Sequence, residues 1–279
     1  MRARVRASGP DGRVASPSVR VRKLDQPRGW AFTLGAVILK PLFFLTTKPI
    51  WVDGTKVPAT GGCVIVMNHL SHVDPLTAAH FTYDHGRLPR YLAKSGLFRN
   101  PVLGFFMRSA GQIPVERAST HAAGAYAAAV AAVRAGECIV VYPEGTITRD
   151  PDLWPMTGKS GAARIALETG CPVIPVGQWG AQALLAPYAK KPDLFPRKTI
   201  HMVVGDPVDL SDLVDQPRTA ALLQRATDRI LDEITALVAG IRGEEPPEHR
   251  YDMLTQGDPL RGRPARPARD AHDDEREAG

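Results

Sequence analysis

A histidine and an aspartate stand close together where an apolar run gives way to polar residues: Val64-Ile65-Val66-Met67-Asn68-His69-Leu70-Ser71-His72-Val73-Asp74-Pro75. The spacing is His-x4-Asp. If Asp74 fixes one ring nitrogen of His69 as N–H, the other nitrogen is a lone pair that can take a proton. That is two thirds of a hydrolytic triad, and the nucleophile need not come from the chain. A hydroxyl carried by the substrate can be activated in its place. Ser71 lacks a Gly-x-Ser-x-Gly setting and reads as a loop hydrogen-bonder. An isolated His-x4-Asp also occurs as a plain loop histidine beside a capping aspartate, so the surrounding elements decide.

Those elements are legible. Val64 to Met67 form a short, β-branched buried strand. Asp74 and Pro75 open a helix, with proline at the first helical position. From about residue 50 short apolar strands alternate with helices. Strands are expected at 63–67, 90–93, 112–115, 138–142, 173–176 and 200–204. Helices are expected at 75–83, 101–109, 120–135, 159–169 and 217–241. This alternation predicts a single α/β domain over 50–243, with a central mixed, mostly parallel β-sheet flanked by helices.

Other strands end in residues suited to binding, where α/β proteins place their sites. Gly111-Gln112-Ile113-Pro114-Val115-Glu116-Arg117 delivers an arginine, whose forked N–H donors suit phosphate or carboxylate. Tyr142-Pro143-Glu144-Gly145-Thr146 is a strand-to-turn transition in which Gly145 allows close backbone approach to a ligand. Glu144 suits a substrate hydroxyl or an arginine, and Arg149 and Lys159 add positive charge downstream. Val173-Ile174-Pro175-Val176-Gly177 is mainly strand, with Pro175 suggesting an edge or a bend lining a site.

The 279 residues carry a formal net charge of +6, which favours anionic partners. Residues 1–27 and 244–279 read as a disordered basic tail and a disordered charged tail. Between the first tail and the domain, residues 28–49 hold two apolar segments interrupted by Lys40-Pro41. They read as an amphipathic helix pair lying in a membrane interface, with Trp30, Arg28, Lys40 and Lys48 at headgroup level. The same pattern also suits a helix docked on the core. The long basic lead, with no small-residue cleavage site after it, does not read as a signal peptide. Cys63, Cys138 and Cys171 are scattered among apolar runs and read as reduced core residues of a cytosolic protein.

In chain order the blocks are Asn68–Asp74, Gly111–Arg117, Tyr142–Thr146 and Val173–Gly177. They resemble the glycerolipid acyltransferases, the family of bacterial 1-acylglycerol-3-phosphate acyltransferases, over about residues 50–205. The resemblance implies acyl transfer from acyl-CoA or acyl-carrier protein to a lysophospholipid hydroxyl, at the sn-2 position of a glycerophosphate, in phospholipid biosynthesis. It makes His69 the base and Asp74 its orienting partner. Arg117 becomes the grip on the acceptor's phosphate, with Lys94 a second phosphate residue. Glu144, Gly145 and Thr146 become the glycerophosphate-binding turn. It implies no cofactor beyond the thioester co-substrate, and the cytoplasmic face of the cell membrane as the place of action. One departure stands out: the family's arginine after Glu-Gly-Thr is Ile147 here, with Arg149 two residues on. Arg149 then reaches the phosphate by another loop path, or the acceptor's head group differs from a simple phosphomonoester.

Rival classes stay in view. His69, His72 and Asp74 in His-x2-His-x-Asp spacing would suit a metal-dependent hydrolase, although His80, His85, His121, His201, His249 and His272 form no second ligand motif. The basic tail and apolar segment also suit a non-catalytic anion- or membrane-binding module. Nothing matches a nucleic-acid-binding motif, and no such partner is expected.

Overall fold

The computed structural model describes residues 22–24, 26–115 and 122–258, with the side chains of residues 122 and 123 left aside. Seven strands form one sheet: β1 (Thr47–Val52), β2 (Cys63–Met67), β3 (Pro89–Lys94), β4 (Ile113–Val115), β5 (Cys138–Val141), β6 (Val173–Trp179) and β7 (Lys198–Val204). Their order is β1-β7-β6-β2-β5-β3-β4, and every pairing is parallel except β6 with β7. The α-helices among the described residues are α1 (Gly29–Thr46), α2 (Asp74–Asp84), α3 (Pro101–Ser109), α4 (Ala122–Arg134), α5 (Gly161–Thr169), α6 (Ala181–Leu184) and α7 (Ala220–Arg242).

The sheet is covered on both faces, which is why its central strands are apolar throughout. Every residue of β2 is buried. Val64 and Val66 belong to one core with Ala129 of α4, Ile165 of α5 and Ile230 of α7. Cys63, Ile65 and Met67 belong to the other, with Ala78 and Phe81 of α2. Alternation along one strand thus feeds two layers. Helix ends follow local chemistry. The Thr219 hydroxyl accepts from Leu222 N–H at the start of α7, and Gly243 closes it in the left-handed conformation at φ 67°.

The N-terminal segment departs from the expected helix pair. Residues 29–46 form one continuous helix, with Pro41 inside it. Proline removes one i→i−4 bond, but contacts on both sides of it hold the helix in line. Lys40 Nζ meets the buried Asp84 carboxylate at 2.9 Å, and the Phe43 ring stacks on His80 at 5.5 Å. Asp84 also accepts from Trp51 Nε1, so α1, α2 and β1 share one polar anchor. Among the described residues α1 is the one helix long and apolar enough to cross a membrane.

Three further expectations change. Residues 47–49 belong to β1, an edge strand that pairs in parallel with β7. Pro175 is in an interior strand, not at an edge. The ladder to β7 begins one residue later, at Val176↔Val204, so no ladder donor is required of Pro175 on that side. Parts of both tails are docked on the domain. Arg22 N–H donates to Asp84 O at 2.8 Å, and Thr157 N–H donates to Tyr251 O at 3.0 Å.

Candidate active site

Two neighbouring parallel strands, β2 and β5, end side by side and supply the loops of the site. At the exit of β2, Asn68 and Gln178 bind each other: Asn68 Nδ2 donates to Gln178 O at 3.0 Å, and Gln178 N–H donates to Asn68 Oδ1 at 2.9 Å. The Ser71 hydroxyl, read from sequence as a loop hydrogen-bonder, donates to Leu185 O at 2.6 Å. The loop therefore has one path, and it turns back on itself at Asp74.

The Asp74 carboxylate is fully buried. Its Oδ2 accepts from His69 Nδ1 at 2.7 Å and from the backbone N–H groups of Leu70 and Ser71. Three N–H donors thus converge on that one oxygen. An ionised Asp74 places the proton of neutral His69 on Nδ1 and leaves Nε2 as the basic nitrogen. Tyr142 lies against the imidazole with ring centroids 4.4 Å apart and planes 25° apart, fixing the ring's tilt. Burial holds the Tyr142 phenol well above its ordinary range.

The main chain of His69 is clamped as firmly as its ring. Its N–H donates to Glu144 Oε1 at 2.7 Å, and its carbonyl accepts from Thr148 N–H at 2.8 Å. Glu144 Oε2 accepts from Met156 N–H at 3.0 Å. This changes the reading of Glu144. Its carboxyl is 1% exposed and both oxygens serve backbone donors, so it braces the His69 loop instead of holding a substrate hydroxyl. Burial pushes its pKa up to about 8, against the downward pull of those two N–H groups.

Arg149 is likewise turned from the role expected of it. Its side chain is 1% exposed, with Nη1 3.7 Å from the Asp258 carboxylate. Asp258 also accepts from the Tyr251 hydroxyl at 2.6 Å. The reason is local. Thr148 is pinned beneath His69 and Ile147 is buried, so the next residue emerges on the core side.

His69 opens on a cavity of about 980 Å³ that runs beneath α1 between α2 and α3. Its walls are largely apolar, including Phe32, Leu39 and Phe43 of α1 and Phe106 of α3. Cations line it too: Lys94, Lys159 and Arg164, with Gly145 and Thr146 beside them. Gly145 has φ 70°, and a Cβ there would stand 3.2 Å from Lys159 Nζ. Arg164 lies over the Tyr126 ring, 4.9 Å from its centroid. Sequence reading noted Lys159 only as downstream charge and passed over Arg164, which looks like any helix-surface arginine until α5 is placed. Arg117 lies outside the described residues; β4 ends two residues before it. His72 faces Tyr188 edge-on at 6.2 Å, and among the described residues no group of three His, Cys, Asp or Glu converges as metal ligands.

Residues 50–179, which contain His69, Asp74 and the Glu144 brace, match the Acyltransferase family model. The chain is 28% identical over 181 residues to the 1-acyl-sn-glycerol-3-phosphate acyltransferase of Bacillus subtilis, covering 63% of this chain and 82% of that protein. It is 33% identical over 136 residues to the Borreliella burgdorferi enzyme of the same name, 46% of this chain and 52% of that one. It is 32% identical over 124 residues to a chloroplastic one of Brassica napus, 44% of this chain and 34% of that one. The chain thus spans about half the length of the Borreliella burgdorferi protein and about a third of the Brassica napus one. Its fold is similar to the crystal structure of the 1-acyl-sn-glycerophosphate acyltransferase PlsC from Thermotoga maritima, with a TM-score of 0.56, 19% identity, and coverage of 77% of this chain and 84% of that one. Over residues 50–179, somewhat under half of its length, the chain is similar to the acyltransferase family.

Proposed function

We propose that the protein transfers a fatty acyl group from a thioester, acyl-CoA or acyl-carrier protein, to the sn-2 hydroxyl of 1-acylglycerol-3-phosphate at a membrane surface, in phospholipid biosynthesis. The observation that carries this reading is the 2.7 Å contact of Asp74 with His69 at the wall of a largely apolar cavity. His69 Nε2 takes the hydroxyl proton as the oxygen attacks the thioester carbonyl. The tetrahedral adduct expels the thiolate, which recovers the proton from the imidazolium. An ester and a free thiol result, and no acyl-enzyme is needed. Asp74 stabilises the imidazolium throughout. Lys94, Arg117, Lys159 and Arg164 hold the acceptor's phosphate, and Gly145 and Thr146 let it approach the backbone. The apolar wall takes an acyl chain. The names of its relatives support the acceptor, and the apolar α1 supports the membrane location.

The test is a panel of lyso-lipid acceptors with long-chain acyl-CoA, run with wild type and His69→Ala. Thioester consumption matched by diacyl product, and its loss in the variant, is expected. Release of free fatty acid from intact phospholipid without thioester use would replace the reading with a hydrolase.

A further inference from the structure

The outer face of α1, with exposed Leu34, Val37, Ile38 and Phe44, does not stand alone. On α3, Val102 is 79% exposed and Phe105 60% exposed, with Leu103 beside them. The turn before the helix, residues 95–98, adds exposed Leu97. Apart from the Trp30 ring on Phe105, these side chains stay largely exposed, and the segment is built to stay in place. Asn100 caps α3 by accepting from Val102 and Leu103 N–H. Gly104 allows the helix to sit against the turn, since a Cβ there would meet Phe98 O at 2.3 Å. The Trp30 ring of α1 stacks on Phe105 at 5.5 Å and meets Phe106 edge-on at 6.2 Å, so the two apolar faces are joined.

Charge identifies the occupant. Residues 95–111 contain Arg99 and Arg108 and no acid. An apolar face rimmed by cations alone matches an anionic bilayer, which offers hydrocarbon beneath negative headgroups. The opposite faces of the same elements line the cavity: Phe32 and Leu39 from α1, Phe106 and Met107 from α3.

We propose that residues 95–109 are a second membrane-contacting element, which docks with α1 on an anionic phospholipid bilayer and sets the cavity wall against the lipid from which the acceptor comes. The inference rests on the membrane-surface acyl transfer proposed above. The experiment is flotation of the full chain with vesicles of phosphatidylcholine containing phosphatidylglycerol, beside vesicles of phosphatidylcholine alone. Val102→Ser with Phe105→Ser, a pair outside the cavity lining, is expected to weaken partitioning about tenfold or more. Arg99→Gln is expected to weaken it about fivefold on the anionic vesicles only. Turnover of a detergent-dispersed lyso-lipid should stay within about twofold in all three proteins, which shows that the variants fold, while turnover of vesicle-embedded acceptor falls with binding. Wild-type partitioning by the double variant would overturn the proposal. So would a wild-type dimer that this variant splits without changing vesicle binding, because the face would then belong to a second copy of the chain. If wild type consumes no thioester even in detergent, the acyl-transfer reading fails, and the flotation result still decides whether this segment touches membrane.

Discussion

The backbone N–H of His69 donates to the buried Glu144 carboxylate at 2.7 Å, which ties the exit of β2 to the exit of β5. The base is therefore positioned from two sides. Asp74 sets its ring and Glu144 sets its main chain. Glu144 titrates in an unusual range, because burial raises its pKa from 4.5 to about 8. Between those values the folded chain keeps a proton that the unfolded chain has released, so stability falls as pH rises through that window. Urea midpoints measured at pH 5 and at pH 8 should fall for wild type and fall less for Glu144→Gln, which has nothing to titrate. Equal slopes in the two proteins would show that Glu144 does not contribute.

His69→Ala should lower kcat by about 10²–10⁴-fold with little change in thermal midpoint, since the ring lies at a cavity wall. Asp74→Asn should lower it comparably while keeping the shape of the loop. The amide oxygen still accepts from the Leu70 and Ser71 N–H groups, but the imidazolium loses its counter-charge. Single-turnover acyl transfer measures both. Substantial activity in His69→Ala would assign the proton to another group.

Much of this was legible because it is local. Cys63–Met67 is a β-branched run with clear ends, and its expected bounds match those of β2. His69 and Asp74 meet across one tight loop, so their spacing carried the information. What sequence hid depends on partners far along the chain. Glu144 looks like an exposed turn acid until β5 is placed beside β2, where it meets an N–H 75 residues away. Pro41 reads as a break, yet anchors on Asp84 and His80 keep α1 whole. Thr47–Val52 carries Lys48 and Pro49 and only a three-residue apolar run, Ile50-Trp51-Val52, too short to announce it; its place beside β7 makes it a strand.

The cations of the cavity should separate acceptor binding from chemistry. Lys159→Ala is expected to raise the KM for lysophosphatidic acid about tenfold and leave kcat within about twofold, as loss of one charge-assisted contact would. Gly145→Ala should do the same by another route. Its Cβ would stand 3.2 Å from Lys159 Nζ, in a backbone conformation at φ 70° that disfavours side chains. Steady-state kinetics with the donor saturating decides it. A fall in kcat at unchanged KM would move Lys159 from acceptor binding to the chemical step.

The C-terminal segment should matter to the site although it lies outside the family match. Asp258 brings a carboxylate to the buried Arg149, and Arg149 ends the loop that Glu144 and Thr148 hold against His69. Removing one partner of a buried ion pair takes away part of what compensates the other's charge, whereas replacing both by apolar groups is often tolerated. Asp258→Ala should therefore cost about 2–3 kcal/mol, and Arg149→Met combined with Asp258→Ala should cost less than the sum of the two singles. Urea denaturation of the four proteins closes that cycle. Because the same loop also carries the backbone contacts of His69, Asp258→Ala should lower kcat while Lys159-dependent acceptor binding is kept. Additive costs in the cycle would show that Arg149 draws its stability from other neighbours and that the segment is merely laid on the surface.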